Sequence, residues 1–128
     1  MNIEDFEGTT IIEDEILLEN RIRSVRNGEF GAFSLFHETP YPWLSIHING
    51  NMAYIHYVHK PNYAGFQPTE MTPKECKSNV FFLQITGIVA DGFEMANEVL
   101  VSLDDAVIVA KEFFNHKNRP IFIKWVEL

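Results

Sequence analysis

The chain predicts an α+β fold: a mainly antiparallel sheet of about five to six strands with two helices packed on one face. Three observations carry that prediction. A hairpin signal runs from Trp43 to Val58 around Asn49-Gly50, with side chains alternating on both arms. One segment before it and one after it carry apolar residues at steps near 3.6, the spacing of a helix with one buried stripe. The chain has 128 residues and a hydrophobic fraction of 46%, enough for one core and short for two, since single domains run to roughly 100–200 residues. Residues 1–128 are therefore read as one domain.

The first 20 residues hold seven acids (Glu4, Asp5, Glu7, Glu13, Asp14, Glu15 and Glu19) and no Lys or Arg. Thr10 and Glu13 have the capping-box spacing, and Ile11, Leu18, Ile22 and Val25 share a stripe. Together they predict a helix from about Ile11 to Arg26. Its early acids and its late Arg21, Arg23 and Arg26 complement the helix dipole, and Asn27-Gly28 supplies a left-handed end. Ala32 to Phe36 opens a β region that Pro40 and Pro42 break. In the hairpin, a type I′ turn at Asn49-Gly50 pairs Ile48 with Asn51, Ile46 with Ala53 and Leu44 with Ile55. That register gathers Leu44, Ile46, Ile48, Ala53, Ile55 and Tyr57 on one face. The other face carries Trp43, Ser45, His47, Met52, Tyr54, His56 and Val58, which is amphipathic and uncharged, so it lies under a second layer or meets a partner.

Lys60 to Asn79 holds three prolines and no period. It is a long loop with room for a short strand, and such loops either carry binding segments or are tolerated insertions. Val80 to Thr86 alternates as a strand closed by Gly87, and Ala96 to Val101 reads as another strand with Glu98 on its rim. Ser102 with Asp105 opens a second helix to about Asn115. Leu103, Ala106, Ala110 and Phe113 face its core side, and Val107 and Phe114 widen the stripe. Asn118 and Pro120 end it, and Ile121 to Val126 alternates as a final strand.

Composition excludes several function classes. A net charge of −8 opposes nucleic-acid binding, which needs clustered Lys and Arg, and suits a basic partner. The single cysteine, Cys76, can form no internal disulfide, which points to a reducing cytoplasm. The acidic N-terminus lacks the basic and apolar regions of a signal peptide, and no apolar run approaches the roughly 18 residues of a membrane span. Among five histidines, His56 and His59 point to opposite strand faces, whereas His47 and His56 share a face diagonally. That pair is the one metal or acid–base geometry available, against an ordinary surface or interface role. Cys76 is flanked by Lys74 and Lys77, which lower a thiol pKa, but no general base lies near it in sequence. No nucleophile elbow, P-loop, dinucleotide fingerprint or paired-cysteine motif is present, so no cofactor is expected. Asp91, Glu94, Glu98, Asp104 and Asp105 run without an intervening Lys or Arg. Asp104 and Asp105 have the ordinary task of starting a helix; the run as a whole can also meet a basic protein surface, speeding association and setting register.

The chain resembles the first-numbered immunity-protein family of bacterial polymorphic toxin and contact-dependent inhibition systems. The residues that carry the likeness are Tyr41-Pro42-Trp43-Leu44-Ser45-Ile46 with the Asn49-Gly50 hairpin, Ser102 to Ala106 leading to Phe113-Phe114, and Arg119-Pro120 to Trp125. It spans roughly residues 30 to 127. Lys117-Asn118 stands where the family usually has glycine, a substitution that asparagine's tolerance of the same backbone permits, and the Lys60–Asn79 loop has no counterpart in the pattern. The resemblance implies a small cytoplasmic protein that binds a cognate toxin domain, a nucleic-acid-targeting deaminase or nuclease, and occludes its active site without catalysis of its own. Pro42, Phe113, Pro120 and Trp125 match the pattern as structural residues. The expected contacts are Asp91, Glu94 and Glu98, then Tyr63, Phe66 and Glu70 in the loop. The alternative is a small-ligand-binding or hydrolytic domain that uses the Trp43, His47, Tyr54 and His56 face.

Overall fold

The computed structural model describes every residue except 26–28, 70–78 and 87–88, and leaves the side chains of 85, 86, 89 and 90 aside. Its first elements differ from the expected helix. The β-branched run at residues 9–12 is stiff at χ1 and favours a strand, and Asp5 accepts from the Glu7 amide at 2.9 Å in a side-chain turn. The result is an antiparallel hairpin of β1 (Asn2–Asp5) and β2 (Gly8–Ile11). Helix α1 spans Glu15–Arg23, and its cap is Asp14, whose carboxylate accepts from the Ile16 amide at 2.6 Å. Thr10 is thus a strand residue, and Ile11 is 69% exposed instead of joining the stripe. Leu18 and Ile22 are buried as the spacing requires, and Asn27-Gly28 lies outside the described residues.

The strands that follow are β3 (Phe30–Phe36), β4 (Trp43–Asn49), β5 (Met52–Val58) and β6 (Phe66–Pro68). Next come β7 (Asn79–Thr86), β8 (Val89–Ala96), a 3₁₀ turn at Asn97–Val99 and β9 (Val101–Ser102). Helix α2 (Leu103–Asn115) and β10 (Trp125–Glu127) complete the chain. The main sheet runs β10-β6-β5-β4-β3-β1-β2 with β9 also on β5, eight strands against the expected five to six, and β7 pairs with β8 as a separate two-stranded sheet.

The β4–β5 register is Asn49 with Met52, Ile48 with Ala53, Ile46 with Ile55 and Leu44 with Tyr57. Gly50-Asn51 therefore forms the loop, and of the two only Gly50 has a positive φ, +59°, the requirement of a type II′ turn. Each residue of β4 meets a partner two places further along β5 than expected, and a shift of two preserves both faces. The expected strand at Ala96–Val101 is also displaced: residues 89–96 form β8 and Glu98 sits on the 3₁₀ turn. At the C-terminal end, the Glu112 carboxylate accepts from the amides of Ile121 (2.6 Å) and Phe122 (3.2 Å). Those amides are drawn out of any ladder, Ile121 is 88% exposed, and pairing begins only at Trp125.

Leu44, Ile46, Ile48, Ala53 and Ile55 are buried in one cluster with Leu18 and Ile22 of α1 and Ala106, Val109 and Phe113 of α2, so both helices cover one face of the sheet. Ser102 caps α2 by accepting from the Asp105 amide at 3.1 Å, as its spacing predicts. Arg23 joins the two helices through Glu19 (2.7 Å) and Asp104 (2.8 Å), and Lys111 also pairs with Glu19. Hydrogen bonds from Lys111 and then Arg23 hold the Glu19 carboxyl below its usual range. The opposite face lies under the β7–β8 hairpin, around a smaller cluster of Tyr54, Phe82 and Leu100.

Candidate functional site

Alternation along β4 and β5 places Trp43, Ser45, His47, Tyr54 and His56 on the sheet face turned away from the helices. Two side chains of β4 fasten the β7–β8 hairpin over them. His47 Nδ1–H donates to the Leu83 carbonyl at 3.1 Å, and Asn49 Nδ2–H donates to the Phe81 carbonyl at 2.9 Å. Between the layers lies a cavity of about 250 Å³. The five sheet residues line it from below, and Gln84, Phe93 and Met95 line it from the hairpin.

The His47 ring meets Phe93 edge to face at 5.0 Å and stacks on Tyr54 at 6.1 Å. His47 is 9% exposed. Burial pulls its pKa down to about 4, against the pull of the Leu83 carbonyl and with a small contribution from His56, so the imidazole is neutral at pH 7. Burial likewise pushes the Tyr54 phenol up to about 12, and its hydroxyl donates to Gln67 Oε1 at 2.8 Å. His56 Nε2–H donates to the Ala64 carbonyl at 2.6 Å. This approach depends on Gly65, whose φ is +91° and where a Cβ would collide with the Tyr57 carbonyl and the His56 ring. The indole nitrogen of Trp43 is buried and has no hydrogen-bond partner among the described residues.

The cavity thus combines aromatic walls with hydrogen-bond donors and acceptors. Ser45 Oγ is directed to the His56 carbonyl at 3.5 Å and not to a base, so no activated hydroxyl is assembled. Among the described residues no three His, Cys, Asp or Glu side chains are grouped to hold a metal. The sharing of a face by His47 and His56 is as the sequence indicates, but both rings spend a nitrogen on a backbone carbonyl.

The described residues among those expected to contact a partner fall in two separate regions. Asp91 and Glu94 are exposed on β8, and Glu98 is half-buried on the turn that follows. The β7–β8 register sets Glu94 opposite Phe81, which is 42% exposed. Tyr63 and Phe66 instead belong to an aromatic group at the β5–β6 connection, where the His59 ring lies 4.5 Å from Tyr63 and the Arg119 guanidinium 4.1 Å from Phe66. Phe66 packs against the main core, which gives it a structural task. Glu70 and Cys76 with its flanking lysines lie outside the described residues. Trp125 packs on the core and donates to the Pro120 carbonyl at 2.7 Å.

Neither a family model nor a curated protein sequence matches the chain. No helix among the described residues is long and apolar enough to cross a membrane.

Sequence reasoning finds the lower wall of the cavity and misses the upper one. Phe93 and Met95 alternate with Glu94, a strand signal that Asp91-Gly92 masks. Alternation assigns Phe81 to a strand but not to the surface; its ring lies over Gly92, where a Cβ would strike it.

Proposed function

We propose that this chain is an immunity protein that binds a basic, cytoplasm-acting toxin domain and neutralises it by covering its active site, with no catalysis of its own. The observation that carries this reading is the β7–β8 hairpin. It presents Glu94 to solvent on the face that carries the exposed ring of Phe81 and Asp91 to solvent on the other face, and residues 79–99 contain no Lys or Arg. Acids draw a positively charged partner in and set its register, while a surface aromatic gives the contact an apolar anchor. A deaminase or nuclease must attract phosphate with positive charge, so an inhibitor of net charge −8 competes for the surface that its substrate uses. The resemblance of residues 30 to 127 to the immunity family supports the same reading.

The test is co-expression of the chain with the C-terminal domain of a secreted protein encoded beside it, scored by survival and by co-purification. Rescue with a stable complex supports the role; a neighbour that is harmless, or that kills regardless, removes it. In that complex, the double substitution Asp91→Lys and Glu94→Lys is expected to slow association by roughly tenfold at low salt and to flatten its salt dependence. Stopped-flow measurements at several ionic strengths read both, and association indifferent to salt and to the substitutions would sink the electrostatic mechanism.

A second reading, a small-ligand-binding domain, is favoured by one observation of its own: Trp43, His47, Tyr54 and His56 line a single cavity. Its test is a saturable response of the cavity residues to a small molecule.

A further inference from the structure

We propose that the outer edge of β2 takes an extended basic segment of another protein as a further strand of the main sheet. The inference goes beyond the immunity reading and does not depend on it, because this edge belongs to a different sheet from the β7–β8 hairpin. The main sheet ends on β2, which is exposed along its whole length. Met1 and Ile12 exchange both their backbone hydrogen bonds, at 2.7 and 2.9 Å. Antiparallel pairing alternates from there, so Thr10 and Gly8 also turn to β1, and Thr9 and Ile11 turn their N–H and C=O groups outward. Among the described residues no strand pairs with that side of β2. The two donors and two acceptors form the template that strand addition uses, and residues 8–11 hold no Lys or Pro to blunt it.

Apolar surface flanks the template on both faces of the sheet. Thr10 accepts from Arg21 and Ile12 is buried in the main core, so the odd residues Thr9 and Ile11 face away from the helices. Ile11 is 69% exposed there. On the helix side, Glu15, Glu19 and Arg23 turn to α2. Leu17 and Arg21 therefore turn the other way, toward the β1–β2 hairpin, where Arg21 meets Asp5 and Thr10. Leu17 is 55% exposed, so a strand laid along β2 shields Leu17 on one face and Ile11 on the other. Charge selects the occupant. Glu7 and Glu13 are exposed at the two ends of the edge. A second copy that satisfies Thr9 and Ile11 together must pair Thr9 with Ile11 in both directions, and that register sets Glu7 of each copy against Glu13 of the other. Like charges opposed across strands are destabilising, and a net charge of −8 on each copy adds to the repulsion. A segment with Lys or Arg at each end and β-branched residues between them turns both repulsions into attractions.

The experiment follows the backbone amides of the intact protein by ¹H–¹⁵N NMR while three peptides with blocked ends are titrated in. They are Lys-Thr-Val-Thr-Val-Thr-Lys, the same peptide with Glu at both ends, and the lysine peptide N-methylated at both valines, which lie opposite Thr9 and Ile11 and lose their ladder donors. The lysine peptide is expected to shift the Thr9 and Ile11 amides saturably, with the other two each at least about fivefold weaker. Thr9→Pro removes one outward N–H and leaves the β1 ladder intact, a placement that edge strands tolerate, and is expected to weaken the lysine peptide at least about threefold. The comparison of the three peptides on the unsubstituted protein needs no variant. Equal binding of the glutamate peptide would overturn the basic class, and equal binding of the N-methylated peptide would overturn strand addition. No saturable shift of these amides up to about 5 mM peptide would overturn the proposal, as would a dimer in sedimentation equilibrium that Thr9→Pro abolishes, which would make a second copy the occupant.

Discussion

His47 is polar, nearly enclosed and neutral, and its burial links stability to pH. Its folded pKa of about 4 lies below the ordinary 6.5, so between those values the unfolded chain binds the extra proton. Stability from this residue is complete above about pH 6.5, falls as pH drops through that window, and changes no further below about 4. Each tenfold difference in proton affinity between the folded and unfolded chain corresponds to about 1.4 kcal/mol, so the loss at pH 5 is about 2 kcal/mol. Urea unfolding at pH 7 and pH 5 measures it, and His47→Gln, which keeps a donor for Leu83 but has no proton to gain, is expected to flatten the slope. The side chain's address was legible from strand parity. Its neutrality was not, because that depends on a hairpin whose residues lie far along the chain.

Helix ends show how a correct local rule can select the wrong residue. Thr10-x-x-Glu13 and Asp14 both offer a cap, and the β-branched residues 9–11 decide between them by pairing with β1. Ser102 ends β9 opposite Met52 and still caps α2. Ser102→Ala is therefore expected to cost about 1 kcal/mol, whereas Thr10→Ala removes only a 3.4 Å contact from Arg21 and is expected to change stability by less than about 0.5 kcal/mol. Thermal unfolding of the two variants side by side separates these roles. The expected final strand is shortened for a related reason: Ile121 to Val126 alternates, but the Glu112 carboxylate takes the amides that a ladder would use.

At the level of the molecule, one sheet separates two apolar clusters of unequal size, and they should fail differently. Phe113 lies in the larger one beneath the helices and Phe82 in the smaller one beneath the hairpin. Phe113→Ala is expected to lower the unfolding free energy by about 3–5 kcal/mol as a whole-domain effect. Phe82→Ala is expected to loosen the hairpin first. Limited proteolysis should then cut within residues 79–96 while the helical circular dichroism signal persists; simultaneous loss of both would show that the layers fold as one. Parity in residues 43–58 made both sheet faces readable from the sequence. That β7 and β8 form the second layer was not readable, because alternation marks a strand without saying which sheet it joins. One consequence lies in the centre of that sheet. Strands β4 and β5 are buried on both faces, and residues 43–58 contain no Asp, Glu, Lys or Arg. Released into an unfolded chain, this stretch is an uncharged β-former of the kind that stacks into aggregates. A net charge of −8 sets copies of the unfolded chain against one another and so opposes that stacking.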